Sequence, residues 1–138
     1  MSLVFIDSDV IIDYLYDRQP FSKSAIKLLD ACASNKIKGY VSPLIIANVY
    51  YVLRKTCNHD EVISRIKELV GFLDVVKMNK QIVLNALNSD FNDFEDALQN
   101  FSVVEHAEIN IIITRNVKDY KHSVLSVYDP ESFLKTFN

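Results

Sequence analysis

The chain reads as an α/β protein of three layers, α/β/α, around a central, mainly parallel sheet of about five strands. Three observations predict this. Short β-branched runs alternate with long apolar stripes at helical spacing, and the run INIIIT at 109–114 has the make-up of a buried parallel strand. Helix starts are well marked, and several follow a strand directly. Only 2 Gly and 3 Pro in 138 residues leave few breaks for a loop-rich fold. No linker, repeat or low-complexity segment interrupts the pattern, so residues 1–138 are expected to form one domain with a single core.

Taken in order, Val4-Phe5-Ile6 is a short strand that runs into Asp7 and a helix. Asp9, Asp13 and Asp17 recur every four residues on that helix, a spacing at which like charges repel mildly, so most of the stripe is expected to be solvated surface, with Asp9 left open because it lies next to Asp7. Ala25, Leu28, Leu29 and Cys32 form the apolar stripe of a second helix, and Ile37–Val41 is a second strand. Ser42-Pro43 then places a capping side chain before a proline at the first helical position, as Asp129-Pro130 does later. Val62, Ile66, Leu69, Val70 and Leu73 mark another helix, leading into a weaker strand at Leu73–Lys77. Asn79 and Asn116 are further caps, and Leu125–Tyr128 is the last and weakest strand.

Composition excludes several classes. Fifteen basic against eighteen acidic residues give a net charge of −3, unlike a generic DNA-coating protein, but leave room for a local basic groove around a metal. Cys32 and Cys57 lack metal-type spacing and read as reduced core thiols. No run of about 18 apolar residues exists, and the N-terminus shows no signal peptide, so a cytoplasmic protein without a membrane partner is expected.

In a parallel sheet, ligands gather beyond the carboxyl ends of the strands, near a switch in strand order. That rule selects Asp7–Asp9 after the first strand, Ser42 after the second and Thr114–Asp119 after INIIIT, and the acidic cluster NDFEDAL joins them as a further candidate. Asp7 ends the first strand, where it is either a helix cap or a ligand. In NDFEDAL, Asp93 and Asp96 share one helix face while Glu95 points elsewhere, as a first-turn acid complementing the helix dipole. Ala97 and Leu98 hold Asp96 at the edge of the interior, where a carboxylate needs a partner. In TRNVKDY, Asn116 and Asp119 form a capping-box-like pair, or Thr114, Asn116 and Asp119 supply oxygen ligands. Asp7, Asp96 and Asp119 together would make an all-oxygen site suited to Mg²⁺ or Mn²⁺. His59, His106 and His122 show no ligand spacing, and there is no Gly-rich phosphate loop.

Strand-Asp, then SPLIIANVYYVLRK, DFEDALQ and IIITRNVKDY, in that order from Val4 to Tyr120, resemble the PIN domain, and RQPF and ANVYYVLRK are similar to a little-characterised bacterial subfamily of it. The resemblance implies a Mg²⁺- or Mn²⁺-dependent ribonuclease that cleaves RNA phosphodiester bonds. It also implies the role of toxin in a toxin–antitoxin pair, with an antitoxin partner and a homodimer. Residue by residue, Asp7 matches the first catalytic aspartate and Ser8 its hydroxyl neighbour. Asp96 matches the central aspartate, and Thr114, Asn116 and Asp119 the closing motif; Asp93 is an extra carboxylate one turn before Asp96. Arg18, Arg54, Arg115 and Lys118 are candidates for phosphate contact.

One position departs from the pattern. The family commonly has Glu where this chain has Asn48, and an amide offers only a neutral oxygen. With Asn116 also neutral, the site carries one or two charges fewer, which implies weaker metal binding with Asp93 compensating. Asn48 also has a structural reading, as a core hydrogen-bonding residue on a face with Leu44, Tyr51 and Val52. Two rival functions follow. A PIN-like scaffold would bind RNA or a protein without cleaving. A phosphatase of the haloacid-dehalogenase type would use Asp7 as nucleophile and Asp9 as acid, although the chain is short for that class.

Overall fold

The structure, a computed structural model, describes residues 1–137. Among these residues five strands form one sheet: β1 (Ser2–Ile6), β2 (Ile37–Val41), β3 (Leu73–Val75), β4 (Ile111–Ile113) and β5 (Ser126–Tyr128). Every neighbouring pair is parallel, in the order β3-β2-β1-β4-β5. The helices are α1 (Ser8–Tyr16), α2 (Ser22–Ala33), α3 (Pro43–Leu53), α4 (His59–Val70), α5 (Lys80–Leu87), α6 (Phe94–Glu105) and α7 (Pro130–Thr136), with a 3-10 turn at Val117–Tyr120.

Central position explains which strands are apolar throughout. Val4, Phe5 and Ile6 of β1 are fully buried, as are Ile112 and Ile113 of β4 beside them. Each such side chain contributes about 1.5–3 kcal/mol relative to an exposed one. The edge strands β3 and β5 keep three residues each, shorter than the runs that predicted them; in β3 only Leu73 is buried, and in β5 Val127 and Tyr128 are half-covered. Sequence order reverses at β1, which has β2 on one side and β4 on the other. The crevice beyond the ends of β1 and β4 is therefore the switch point at which parallel sheets bind ligands.

Local chemistry fixes the helix starts. Ser42, Asn58, Asn79, Asp93 and Asp129 each accept a backbone N–H three residues on. Asn116 occupies the cap position of the 3-10 turn but makes no side-chain cap bond; its Nδ2 donates to Asp9 Oδ2. The buried face of α3 is Ile45, Val49 and Leu53, and Tyr51 is 69% exposed. Asn48 therefore does not lie on a core face. Val70, expected in the α4 stripe, is also exposed, while Val62 and Leu69 are buried.

Gly39 of β2 sits where nothing larger fits: a Cβ there would lie 2.6 Å from Leu73 Cδ2 and 2.7 Å from Cys32 Sγ. Cys32 is a buried thiol, pushed up to about 12 by burial and so unreactive. Cys57 is free but only partly buried. No helix among the described residues is long and apolar enough to cross a membrane.

Candidate active site

A cavity of about 240 Å³ opens beyond the ends of β1 and β4. Its walls carry six carboxylates, Asp7, Asp9, Asp93, Glu95, Asp96 and Asp119, together with Ser8, Asn48, Gln99 and Asn116. The chain reaches this one place from four directions. Asp7 and Asp9 come from the β1–α1 junction and Asn48 from α3. Asp93, Glu95, Asp96 and Gln99 belong to the start of α6, and Asn116 and Asp119 follow β4.

Asp7 is held from several sides. Its backbone N–H donates to Ile113 O at 2.9 Å, pinning the end of β1 to β4. Oδ1 accepts from Ser8 N at 2.8 Å, and Oδ2 accepts from Thr114 Oγ1 at 3.0 Å and Tyr120 OH at 3.2 Å. Burial pushes its carboxyl above the usual range, and those three hydrogen bonds offset part of the rise. Thr114 Oγ1 also lies 3.3 Å from Asp9 Oδ2, so one hydroxyl bridges the two acids.

Asp9 is not a solvated stripe residue. Oδ2 accepts from Arg115 N at 3.0 Å and Asn116 Nδ2 at 3.2 Å, whereas Oδ1 is buried with no hydrogen-bond partner. Burial, then the charge of Asp7, raise its carboxyl to about 6. Asp13 departs further from expectation. It is 1% exposed and takes Arg115 Nε at 2.6 Å and Arg115 Nη2 at 3.2 Å, with Arg18 at 3.9 Å. Only Asp17, at the end of α1, is the exposed residue its spacing implied.

On α6, Asp93 caps the helix through Oδ1, accepting from Asp96 N at 3.0 Å. Asp96 is raised to about 7 by burial first, then by the charges of Asp93, Asp7 and Asp119. Glu95, expected to face away, instead lines the cavity and accepts from Asn48 Nδ2 at 2.9 Å. Asn48 is thus a cavity residue rather than a core one. Gln99 is buried and accepts from Ser42 Oγ at 2.6 Å, fixing α6 against the start of α3. Sequence reasoning missed Glu95, Gln99 and Tyr120 as cavity or supporting groups. The only local signals were a Tyr next to Asp119 and a Gln one turn beyond Asp96.

Of the four cations named as phosphate contacts, Lys118 borders the acids, sharing a rim with Asp93, Asp96 and Asp119. Arg115 is committed to Asp13 and stacks on Phe21 at 3.9 Å, and Arg18 also leans toward Asp13. Arg54 ends α3 at the side away from the cavity, donating to Cys57 O.

The cavity fits a hard divalent ion in its chemistry. All donors are oxygens, the Asp9 and Asp96 carboxyls are raised by burial first and then by neighbouring negative charge, and Asp9 Oδ1 lacks any partner. Among the described residues no three His, Cys, Asp or Glu side chains already form a closed ion shell. Mg²⁺ asks for less than that, since it keeps several waters and uses one or two carboxylates.

Comparison with known proteins shows the family and the fold. Ribonuclease VapC1 of Aquifex aeolicus (strain VF5) is 30% identical over 140 residues, covering 98% of this chain and 95% of that protein. A toxin–antitoxin complex from Klebsiella pneumoniae contains a chain similar in fold, with a TM-score of 0.67 at 18% identity over 92% of this chain and 97% of that one. Mycobacterium tuberculosis VapC20, a Sarcin-Ricin loop cleaving toxin, gives a TM-score of 0.59 at 16% identity over 79% and 86%. The PIN domain family model matches residues 3–118, a span from Leu3 of β1 through the acids of α6 and the Thr114–Asn116 turn that ends one residue before Asp119. The chain belongs to the PIN domain family.

Proposed function

We propose that the protein is a divalent-metal-dependent endoribonuclease that serves as the toxin of a toxin–antitoxin pair in the cytoplasm. The observation that carries this reading is the convergence of Asp7, Asp9 and Asp96 on one cavity at the switch point, with their carboxyls raised by burial and by one another. Such crowding costs stability unless a cation relieves it. Membership of the PIN family and the name of the Aquifex relative supply the reaction class. The structural likeness to a chain of a toxin–antitoxin complex motivates the antitoxin partner. Neither the phosphatase nor the inert-scaffold reading gains support from the family match.

Asp7, Asp96 and Asp119 would hold the ion, and Mg²⁺ or Mn²⁺ supplies charge neutralisation at the phosphate and lowers the pKa of an attacking water. The other roles belong to the chain. Ser8 N–H, Thr114 and Tyr120 fix the Asp7 carboxylate in one orientation. Asp93 uses Oδ1 as a helix cap, which leaves Oδ2 to orient a water. Asn116 and the Arg115 backbone hold Asp9 beside Asp7. Lys118 at the rim would position the RNA backbone, a contact that sets register without reading sequence.

Purified protein with Mn²⁺ should cleave single-stranded RNA, and Asp7→Asn should abolish cleavage. Activity that survives both this substitution and EDTA would overturn the reading.

A further inference from the structure

The family pattern expects a carboxylate from α3, and this chain offers Asn48 there. The structure brings a different acid to the same spot. Asn48 Nδ2 donates to Glu95 Oε1 at 2.9 Å, joining two residues 47 positions apart in sequence. Both line the cavity that holds Asp7 and Asp96. The bond uses Oε1 and not Oε2, and the charge of Glu95 is felt at Asp7. A first-turn acid needs none of this to favour the α6 dipole, a contribution of about 0.3–1 kcal/mol that solvent-facing Glu makes equally well. The amide at 48 is also the right partner chemically. A Glu there would repel Glu95 at this distance, whereas Asn donates to it.

We propose that Glu95 supplies the carboxylate that position 48 lacks, with one oxygen joining Asp7 and Asp96 in holding the divalent ion while Asn48 aims it. The acid has moved from α3 to α6 and the cavity keeps its charge. This rests on the nuclease reading of the same cavity. It makes Glu95 an ion-holding residue and Asn48 a positioning residue.

Calorimetric titration of the purified full chain with Mn²⁺ alone tests it, and it reads ion affinity rather than turnover. Glu95→Gln should weaken Mn²⁺ binding at least tenfold, since removing even a group that only supports a ligand costs about tenfold to a hundredfold. Asn48→Glu combined with Glu95→Gln should bring affinity back to within a few-fold of the parent, because the charge returns from the other helix. Glu95 is exposed, so these variants should fold, and unchanged far-UV circular dichroism verifies that they do. Unchanged affinity in Glu95→Gln, with binding abolished in Asp7→Asn, overturns the inference and leaves the nuclease reading standing. A loss in Glu95→Gln that the double variant fails to recover overturns the exchange between positions 48 and 95. No Mn²⁺ binding by the parent protein overturns both the inference and the reading beneath it.

Discussion

Replacing Asp13 by Asn should be among the most damaging single changes outside the apolar core. Asp13 is 1% exposed and receives two hydrogen bonds from the Arg115 guanidinium, at 2.6 and 3.2 Å. Asparagine keeps one acceptor but turns an N–H₂ donor toward a group that only donates. Breaking a fully buried ion pair costs about 3–5 kcal/mol. The Arg115 side chain is 26% exposed and can recover some hydration, so about 3 kcal/mol is expected. For a chain of this length that lowers the melting temperature by roughly 10 °C. Thermal unfolding followed by circular dichroism at pH 7.5 measures it. Replacing both partners by apolar residues, Asp13→Leu with Arg115→Met, should recover most of the loss, because removing a pair together is often nearly neutral. A drop of less than about 2 °C in Asp13→Asn would refute the reasoning, since only a solvated Asp13 tolerates the change that well. The consequence for the site is direct. Arg115 follows Thr114, whose hydroxyl bridges Asp7 and Asp9, and Arg115 N itself donates to Asp9.

Other consequences can be checked on the same protein. Asp96 is raised from 3.8 to about 7 and Asp9 to about 6, so the folded state holds protons that the unfolded chain releases near pH 4. Their contribution is therefore favourable below about pH 4 and is lost as pH rises to about 7. Asp96→Asn should stabilise the metal-free protein at pH 7.5 by about 1 kcal/mol, a figure reduced for solvent screening of a half-exposed group, and by much less at pH 4.5. Urea unfolding at the two pH values measures this, and equal effects at both would contradict it. Gly39→Ala should cost about 1–3 kcal/mol by overpacking against Leu73 and Cys32. Adding Cys32→Ala should return part of that loss in the same unfolding assay, because it removes the sulfur 2.7 Å from the new methyl.

How much of this was legible in the sequence depended on what each residue touches. β1 and β4 are buried on both faces and so read as continuous apolar runs, whereas β3 and β5 lie at the sheet edges and carry little pattern. Topology placed Asp7, Asn116 and Asp119 at strand ends, helix spacing and the family pattern singled out Asp93 and Asp96, and the structure brings all five to one cavity. Spacing misled for Asp13. Its position four residues from Asp9 and Asp17 says that the three share a helix face, but not that Arg115 covers the middle of that face. The same limit applied to Glu95 and Asn48. Helical geometry assigned Glu95 to a different face from Asp93 and Asp96, yet a three-bond side chain at the first turn can swing to meet a donor from α3. The Tyr120 hydroxyl on Asp7 joins residues 113 positions apart, a contact that no local pattern encodes.

Nuclease activity at this cavity requires that the strand-end and α6 carboxylates hold a divalent ion. A crystal of the protein soaked in millimolar Mn²⁺, with anomalous differences collected, tests it most directly. A peak is expected between Asp7 and Asp96, with carboxylate oxygens at about 2.1 Å. A soaked crystal with an open cavity and no peak there, or with Mn²⁺ bound only elsewhere on the molecule, would contradict it.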